Sequence, residues 1–221
     1  MQKLIIIGGG TAFYEICGII RSINNKVNPS YEVVGILDDD ASLIGKKLND
    51  IPIIGTLQQA STFSNECKFV FAIGSMNTRL ERENILNKTG LEKKCFETLI
   101  HPNSDIDISA TIGFGCIIHF GVVVGNHAVL DGFNIIAVNS AIGPYVQLHE
   151  YSMITSLCLI LTNSKVGKFC FIGSSSTITE NVTIGKGSFV GVGSIVTRSL
   201  KEGSFGMGNP FRILKVDKIN I

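Results

Sequence analysis

A chain of 221 residues has room for one large or two small domains and can bury a substantial core. Charged residues make up only 17% and the net charge is +1, so the electrostatic attraction behind nucleic-acid binding is missing. Mean hydropathy is high at +0.34, yet no apolar run approaches the roughly 20 residues of a membrane helix, so no membrane insertion is expected.

The first residues, Met1 to Ile7, are too short for a signal peptide and run directly into a glycine turn. Leu4 to Ile7 reads as a buried parallel strand. After Gly8-Gly9-Gly10, the spacing of Phe13, Ile16, Cys17 and Ile20 predicts an amphipathic helix over 11–23. Strand, glycine turn and helix N-terminus can cradle a phosphate with backbone N–H groups; they can equally be no more than a tight turn. Tyr31 to Leu37 reads as a second strand ending in Asp38-Asp39-Asp40, where acidic residues of such units meet a ribose or a base, or simply face solvent.

A short turn-flanked segment follows at 51–55, then a helix at 57–63 and a third strand at 68–73 closing on Gly74-Ser75. A charged helix from about Asn77 to Lys88 and a fourth strand at 95–100 complete the alternation. The pattern predicts a Rossmann-like α/β domain over 1–100. His101-Pro102 marks its boundary.

From Ile106, every sixth residue up to Val196 is Ile, Leu or Val, sixteen in sixteen slots with no insertion. Four residues after each, from Ala110 to Ser194, stands Ala, Cys, Val, Asn or Ser. A period of six rotates around a helix but suits short strands broken by turns, three to a coil of eighteen residues. Hexapeptide repeats are a signature of the parallel β-helix. The aliphatics fill the lumen and the small residues fit near the corners. Glycine directly after the aliphatic, at positions such as Gly113, Gly125, Gly143 and Gly167, is expected to relieve the turns. The ninety residues make five coils over 101–200, and a glycine-rich tail over 201–221 is available to cap an open end. Six cysteines lack paired spacing, and Cys116, Cys158 and Cys170 fall on the small-residue slot, so these are expected to be packed thiols in a reducing cytosol; no clustered His/Cys pattern occurs, so no metal is expected.

A glycine-turn α/β domain, His-Pro, hexapeptide repeats and a Gly-x-Pro tail together resemble the sialic-acid O-acetyltransferases and the bacterial sugar-nucleotide N-acetyltransferases. The resemblance implies a left-handed β-helix, a homotrimer in the cytoplasm, and acetyl-coenzyme A bound between neighbouring helices. It also implies a sugar or nucleotide sugar of a surface-glycan pathway held partly by the N-terminal domain. Carried onto this chain, it implies substrate contacts at Gly8, Gly9, Gly10, Asp38, Asp39, Gly74 and Ser75. For the cofactor it implies Gly173, Gly191, Gly208, Pro210 and Arg212, with the Thr162 N–H as donor to the acetyl carbonyl.

The departures bear on catalysis. The family's His-Glu pair falls on Pro144-Tyr145, a second family histidine falls on Met153, and Thr11-Ala12-Phe13 replaces the usual Gly-His-Ala-like sequence. His149-Glu150 is the one His-acid pair in the chain, so His149 as base and Glu150 as its orienting acid are the catalytic candidates. His119 and His127 are further outward candidates, and His101 reads as structural. Without a base, transfer to a neutral amine is easier to sustain than transfer to a hydroxyl. The alternative is a catalytically silent sugar-nucleotide-binding homologue or scaffold.

Overall fold

The computed structural model describes residues 1–26 and 30–216, which form two compact units, Met1–Pro102 and Asn103–Ile221. The last five residues of the expected tail, 217–221, lie outside the described residues.

The first unit is a sheet with strands β1 (Gln2–Ile7), β2 (Tyr31–Leu37), β3 (Lys47–Leu48), β4 (Ile51–Gly55) and β5 (Lys68–Phe71) in the order β3-β4-β2-β1-β5. All neighbours are parallel except β3 and β4. Leu4–Ile7 and Phe69–Phe71 are fully buried, as strands covered on both faces require. Helix α1 (Thr11–Lys26) buries Phe13, Ile16, Ile19 and Ile20, while Cys17 is only half-buried. Segment 51–55 is a true strand, pairing Ile53 with Ile36.

Helix α2 covers only Arg82–Asn87. Its expected first turns are replaced by a side-chain exchange. Ser75 N–H donates to Thr78 Oγ1 at 3.0 Å and Thr78 N–H to Ser75 Oγ at 3.1 Å, which satisfies the backbone without a helix. The expected strand at 95–100 shortens to Leu99–Ile100, because Lys93–Cys95 forms a 3-10 turn and Phe96 makes a lone bridge to Phe69.

The second unit is a left-handed parallel β-helix. Its sixteen two-residue strands lie on three faces, each strand pairing with the strand eighteen residues on. The first face runs from Asp105–Ile106 to Ile195–Val196, the second from Thr111–Ile112 to Thr183–Ile184, the third from Ile117–Ile118 to Phe189–Val190. Fourteen of the sixteen aliphatics are buried in the lumen; Ile106 and Ile112 of the first coil are partly exposed.

The corners depart from the expected role of glycine. From Ile112 on, the left-handed backbone falls three residues after the aliphatic, at fourteen consecutive corners from Gly115 to Gly193, with φ between 55° and 69°. Ten of these residues are not glycine. Such a conformation costs an L-residue on the order of 1–2 kcal/mol. It aims the residue's N–H at the coil below, as in Tyr145 N–H to Asn126 O and Asn163 N–H to Pro144 O, both 3.0 Å. The glycines directly after the aliphatics are needed for a different reason: a Cβ on Gly173 would stand 2.6 Å from Val192 N, and one on Gly167 2.7 Å from Lys186 N. They let adjacent coils approach.

The small slot carries a second ladder. Ser152 Oγ donates to Gly167 O at 2.7 Å and in turn accepts the N–H of Cys170 at 3.0 Å. Ser140, Ser164, Ser176, Cys158 and Cys170 donate in the same way to the carbonyl fifteen residues on. The tail completes the third face: Ser204–Met207 pairs beside Phe189–Val190 and is joined antiparallel by Arg212–Val216.

Candidate functional site

The order β4-β2-β1-β5 puts the topological switch point between β1 and β5, where open α/β sheets bind ligands at the carboxyl ends of their strands. Gly8-Gly9-Gly10 leaves β1 there, Asp38 and Asp39 leave β2, and Gly74-Ser75 follows β5. The sheet therefore brings all seven expected substrate residues to one edge.

Gly8 has φ 102°, and a Cβ on it would meet Ile73 Cγ1 at 2.7 Å, so close approach of the two loops requires glycine here. Buried Arg82 steadies the neighbouring loop through Nε donating to Ile73 O at 2.9 Å. Gly9 N–H donates to Asp38 Oδ2 at 2.6 Å, and Asp38 Oδ1 accepts from Asp40 N–H. One donor of the anticipated phosphate cradle is thus engaged by the chain's own carboxylate. Asp39 accepts the Leu57 N–H that starts the 3-10 helix Leu57–Phe63 and lies 3.5 Å from Lys88 Nζ. Ser75 is engaged with Thr78.

In the β-helix, residues eighteen apart stack into columns along three corners. Corner one joins the first and second faces and contains 143–146, 161–164 and 197–200. Corner two contains 131–134, 149–152 and 167–170. Corner three contains 173–176 and 191–194. The expected acyl-transfer residues divide among them.

Thr162 stands on corner one. Its carbonyl accepts from Asn181 N–H at 3.1 Å, and among the described residues nothing accepts its own N–H. Gly173 and Gly191 stack on corner three, where packing of the next layer accounts for them. His149 and Glu150 are on corner two.

The expected His149–Glu150 pair does not form. His149 Nδ1 bonds Asp131 Oδ2 at 2.9 Å, one coil below, while Glu150 Oε2 pairs with Lys168 Nζ at 3.4 Å. At a tight corner, consecutive side chains diverge and eighteenth neighbours meet. Gly113 and Gly167 occupy the positions below and above the dyad in the same column. Asp131 was readable in principle from the eighteen-residue coil, and sequence adjacency pointed to Glu150 instead.

A cavity of about 610 Å³ opens at the end of corner one, between 196–200 and the tail; its lining includes Arg198, Ser199, Pro210, Phe211 and Arg212. Pro210 and Arg212 thus meet there as expected. Arg198 and Ser199 were not anticipated, since the repeat had ended and no spacing signalled them. Gly208 is tied to the last coil, its N–H donating to Ser194 Oγ and its carbonyl accepting from Ile195 N–H. Lower on corner one, the ring of His127 stacks on Tyr145 with centroids 5.1 Å apart. His119 is buried, and burial, with Lys26 as a lesser cause, holds the His101 imidazole below its ordinary 6.5.

Residues 3–86 match the family model of the PglD N-terminal domain. Comparison with curated proteins finds no match. Among solved structures, the chain is similar to the acetyltransferase domain of PglB from Neisseria gonorrhoeae FA1090, at 23% identity and TM-score 0.83, over 97% of this chain and 100% of that one. The same domain in complex with acetyl coenzyme A gives 23% identity and TM-score 0.83, over 96% and 99% of the two chains. A point mutant of perosamine N-acetyltransferase from Caulobacter crescentus, in complex with CoA and GDP-perosamine, matches at 20% identity and TM-score 0.84, over 97% and 98%. Both units therefore share their fold with bacterial sugar acetyltransferases.

Among the described residues, no helix is long and apolar enough to cross a membrane, and no group of three His, Cys, Asp or Glu side chains is placed to hold a metal ion.

Proposed function

We propose that the chain transfers an acetyl or related acyl group from coenzyme A to an amino or hydroxyl group of a sugar or nucleotide sugar, acting as a cytoplasmic homotrimer in surface-glycan synthesis. The observation that carries this reading is the cavity at the end of corner one, where Arg198 and Arg212 offer two cations to the phosphates of coenzyme A. Down the same corner, the Thr162 N–H, which no described residue accepts, can hold the thioester carbonyl as negative charge develops on its oxygen. The switch point of the first unit supplies the sugar-nucleotide site. There Asp38 already takes the Gly9 N–H, which favours a neutral sugar or base over a phosphate at that turn. The PglB domain in complex with acetyl coenzyme A and the Caulobacter enzyme in complex with CoA and GDP-perosamine support these two classes of ligand.

His149, tied to Asp131, stands across the second face from the Thr162 column, so it is turned away from the Thr162 N–H of its own chain. Pro144 offers neither an N–H nor a titratable group at the position where relatives of the resembled family carry histidine.

The test is release of free coenzyme A thiol from acetyl-coenzyme A in the presence of amino-sugar nucleotides, alongside ligand-induced thermal stabilisation. Turnover supports the enzyme. Stabilisation by both ligands without turnover favours the silent, sugar-nucleotide-binding homologue. Arg198→Ala combined with Arg212→Ala is expected to weaken coenzyme A binding at least tenfold at low salt, and less at high salt, because both cations are exposed.

A further inference from the structure

Resting on the acyl-transfer reading, we propose that His127, not His149, is the general base, working on corner one within the same chain as Thr162. Of the histidines, His127 alone lies in that column. Its ring is held by stacking on Tyr145, with an interplanar angle of 31°, which covers one face and leaves the edge open. Among the described residues neither ring nitrogen has a hydrogen-bond partner; only the backbone N–H is bonded, to Ser109 Oγ at 2.9 Å. His149 differs on each count, with Nδ1 tied to Asp131 on a corner away from the cavity.

A carboxylate stands ready below. Asp107 Oδ1 accepts from Ser109 N–H and Oγ at 2.8 and 2.6 Å. Those bonds, and more weakly the charge of His127, hold Asp107 below the usual carboxylate range. An imidazolium formed at His127 would have near it, in the coil below, a carboxylate held by Ser109. Of the titratable groups, Tyr145 of the coil above touches the His127 ring, and Asp107 acts on it through charge from the coil below.

Spacing supports the assignment. His127 is two coils below Asn163, the neighbour of Thr162, which at about 4.8 Å per coil is roughly 10 Å. A thioester carbon lies about 4 Å beyond the N–H that holds its oxygen, an aligned nucleophile about 3 Å further, and the base about 3 Å beyond that. Because the nucleophile approaches at a wide angle to the C=O axis, these distances follow a bent path whose ends lie within that span. In the step, the acceptor's N or O bonds to the thioester carbon as its proton passes to His127; the C–S bond breaks and coenzyme A leaves as thiolate. The proton held on His127 then returns through solvent to the thiolate.

The experiment compares wild type, His127→Ala, His127→Asn (asparagine suits the φ of 55° at this corner) and His149→Ala, with folding checked by thermal melting. Acetyl transfer is measured to the sugar acceptor and to hydroxylamine, a nucleophile that needs no base. Both His127 variants are expected to lose about 10²–10⁴-fold in kcat/KM for the sugar, to recover in part with added imidazole, and to keep hydroxylamine transfer within a few-fold. His149→Ala is expected to stay within about twofold, which general-base loss would far exceed. Full sugar transfer by folded His127→Asn, or equal loss of sugar and hydroxylamine transfer, overturns the assignment. A wild-type chain that acetylates hydroxylamine but no sugar overturns it too. A wild-type chain that acetylates no acceptor overturns the acyl-transfer reading itself.

Discussion

Ser176 illustrates how much chemistry one small side chain performs in this fold. Fully buried, it donates to Gly191 O at 3.0 Å and accepts the N–H of Ser194 at 3.2 Å. Ser176→Ala leaves the Ser194 N–H unsatisfied in the interior, while Gly191 O keeps the Ser194 hydroxyl, and is expected to cost about 1–3 kcal/mol in urea unfolding. Ser176→Cys is expected to cost less, because thiols at Cys116, Cys158 and Cys170 already make the equivalent carbonyl bond at 3.2 Å. The sequence shows that this slot must be small, since size is visible residue by residue. It does not show why Ser and Cys recur there, because the acceptor lies fifteen residues away and becomes a neighbour only once the coil closes. The His149–Asp131 dyad escaped notice for the same reason.

Elements bring backbone proximity into play, and glycine is where it is felt. Gly173→Ala is expected to lower the melting temperature, because its Cβ would meet backbone that cannot yield, an overpacking cost of about 1–3 kcal/mol. Gly10→Ala is the matched control: nothing lies within 4 Å of its Cβ position, so its melting temperature is expected to be unchanged. The hexad register was legible because sixteen aliphatics repeat it; which glycines serve close approach was not, because that depends on the coil above. Strand and helix ends in the α/β unit blurred wherever side chains took over backbone bonds, as Ser75 and Thr78 do before α2.

His101 gives this scale a pH dependence. Its imidazole is held below the ordinary 6.5, first by burial and then by Lys26. As pH falls below 6.5 the unfolded chain takes up the proton before the folded one, so stability declines through that range. His101→Gln is expected to flatten this part of the stability–pH curve, measured by chemical denaturation between pH 7 and 5.

For the molecule as a whole, stability of the β-helix resides in nearest-neighbour coils, so its last coil needs a cover. The tail provides one: Lys201 O accepts from Ser188 Oγ, and Ser194 Oγ and the Ile195 backbone are engaged by Gly208. A chain truncated after Leu200 is expected to melt earlier and to associate through its open end, seen by light scattering coupled to gel filtration. It is also expected to lose the cavity walls contributed by Pro210 and Arg212, and with them stabilisation by coenzyme A.

Cys116, Cys158 and Cys170 have no exposed surface, and they belong to the first, third and fourth coils. A thiol reagent reaches them only when the surrounding coil separates from its neighbour. Variants that retain one of the three then turn the labelling rate into a clock for each level of the helix. Equal rates would mean that the coils part together, and graded rates would give the order in which the column unwinds.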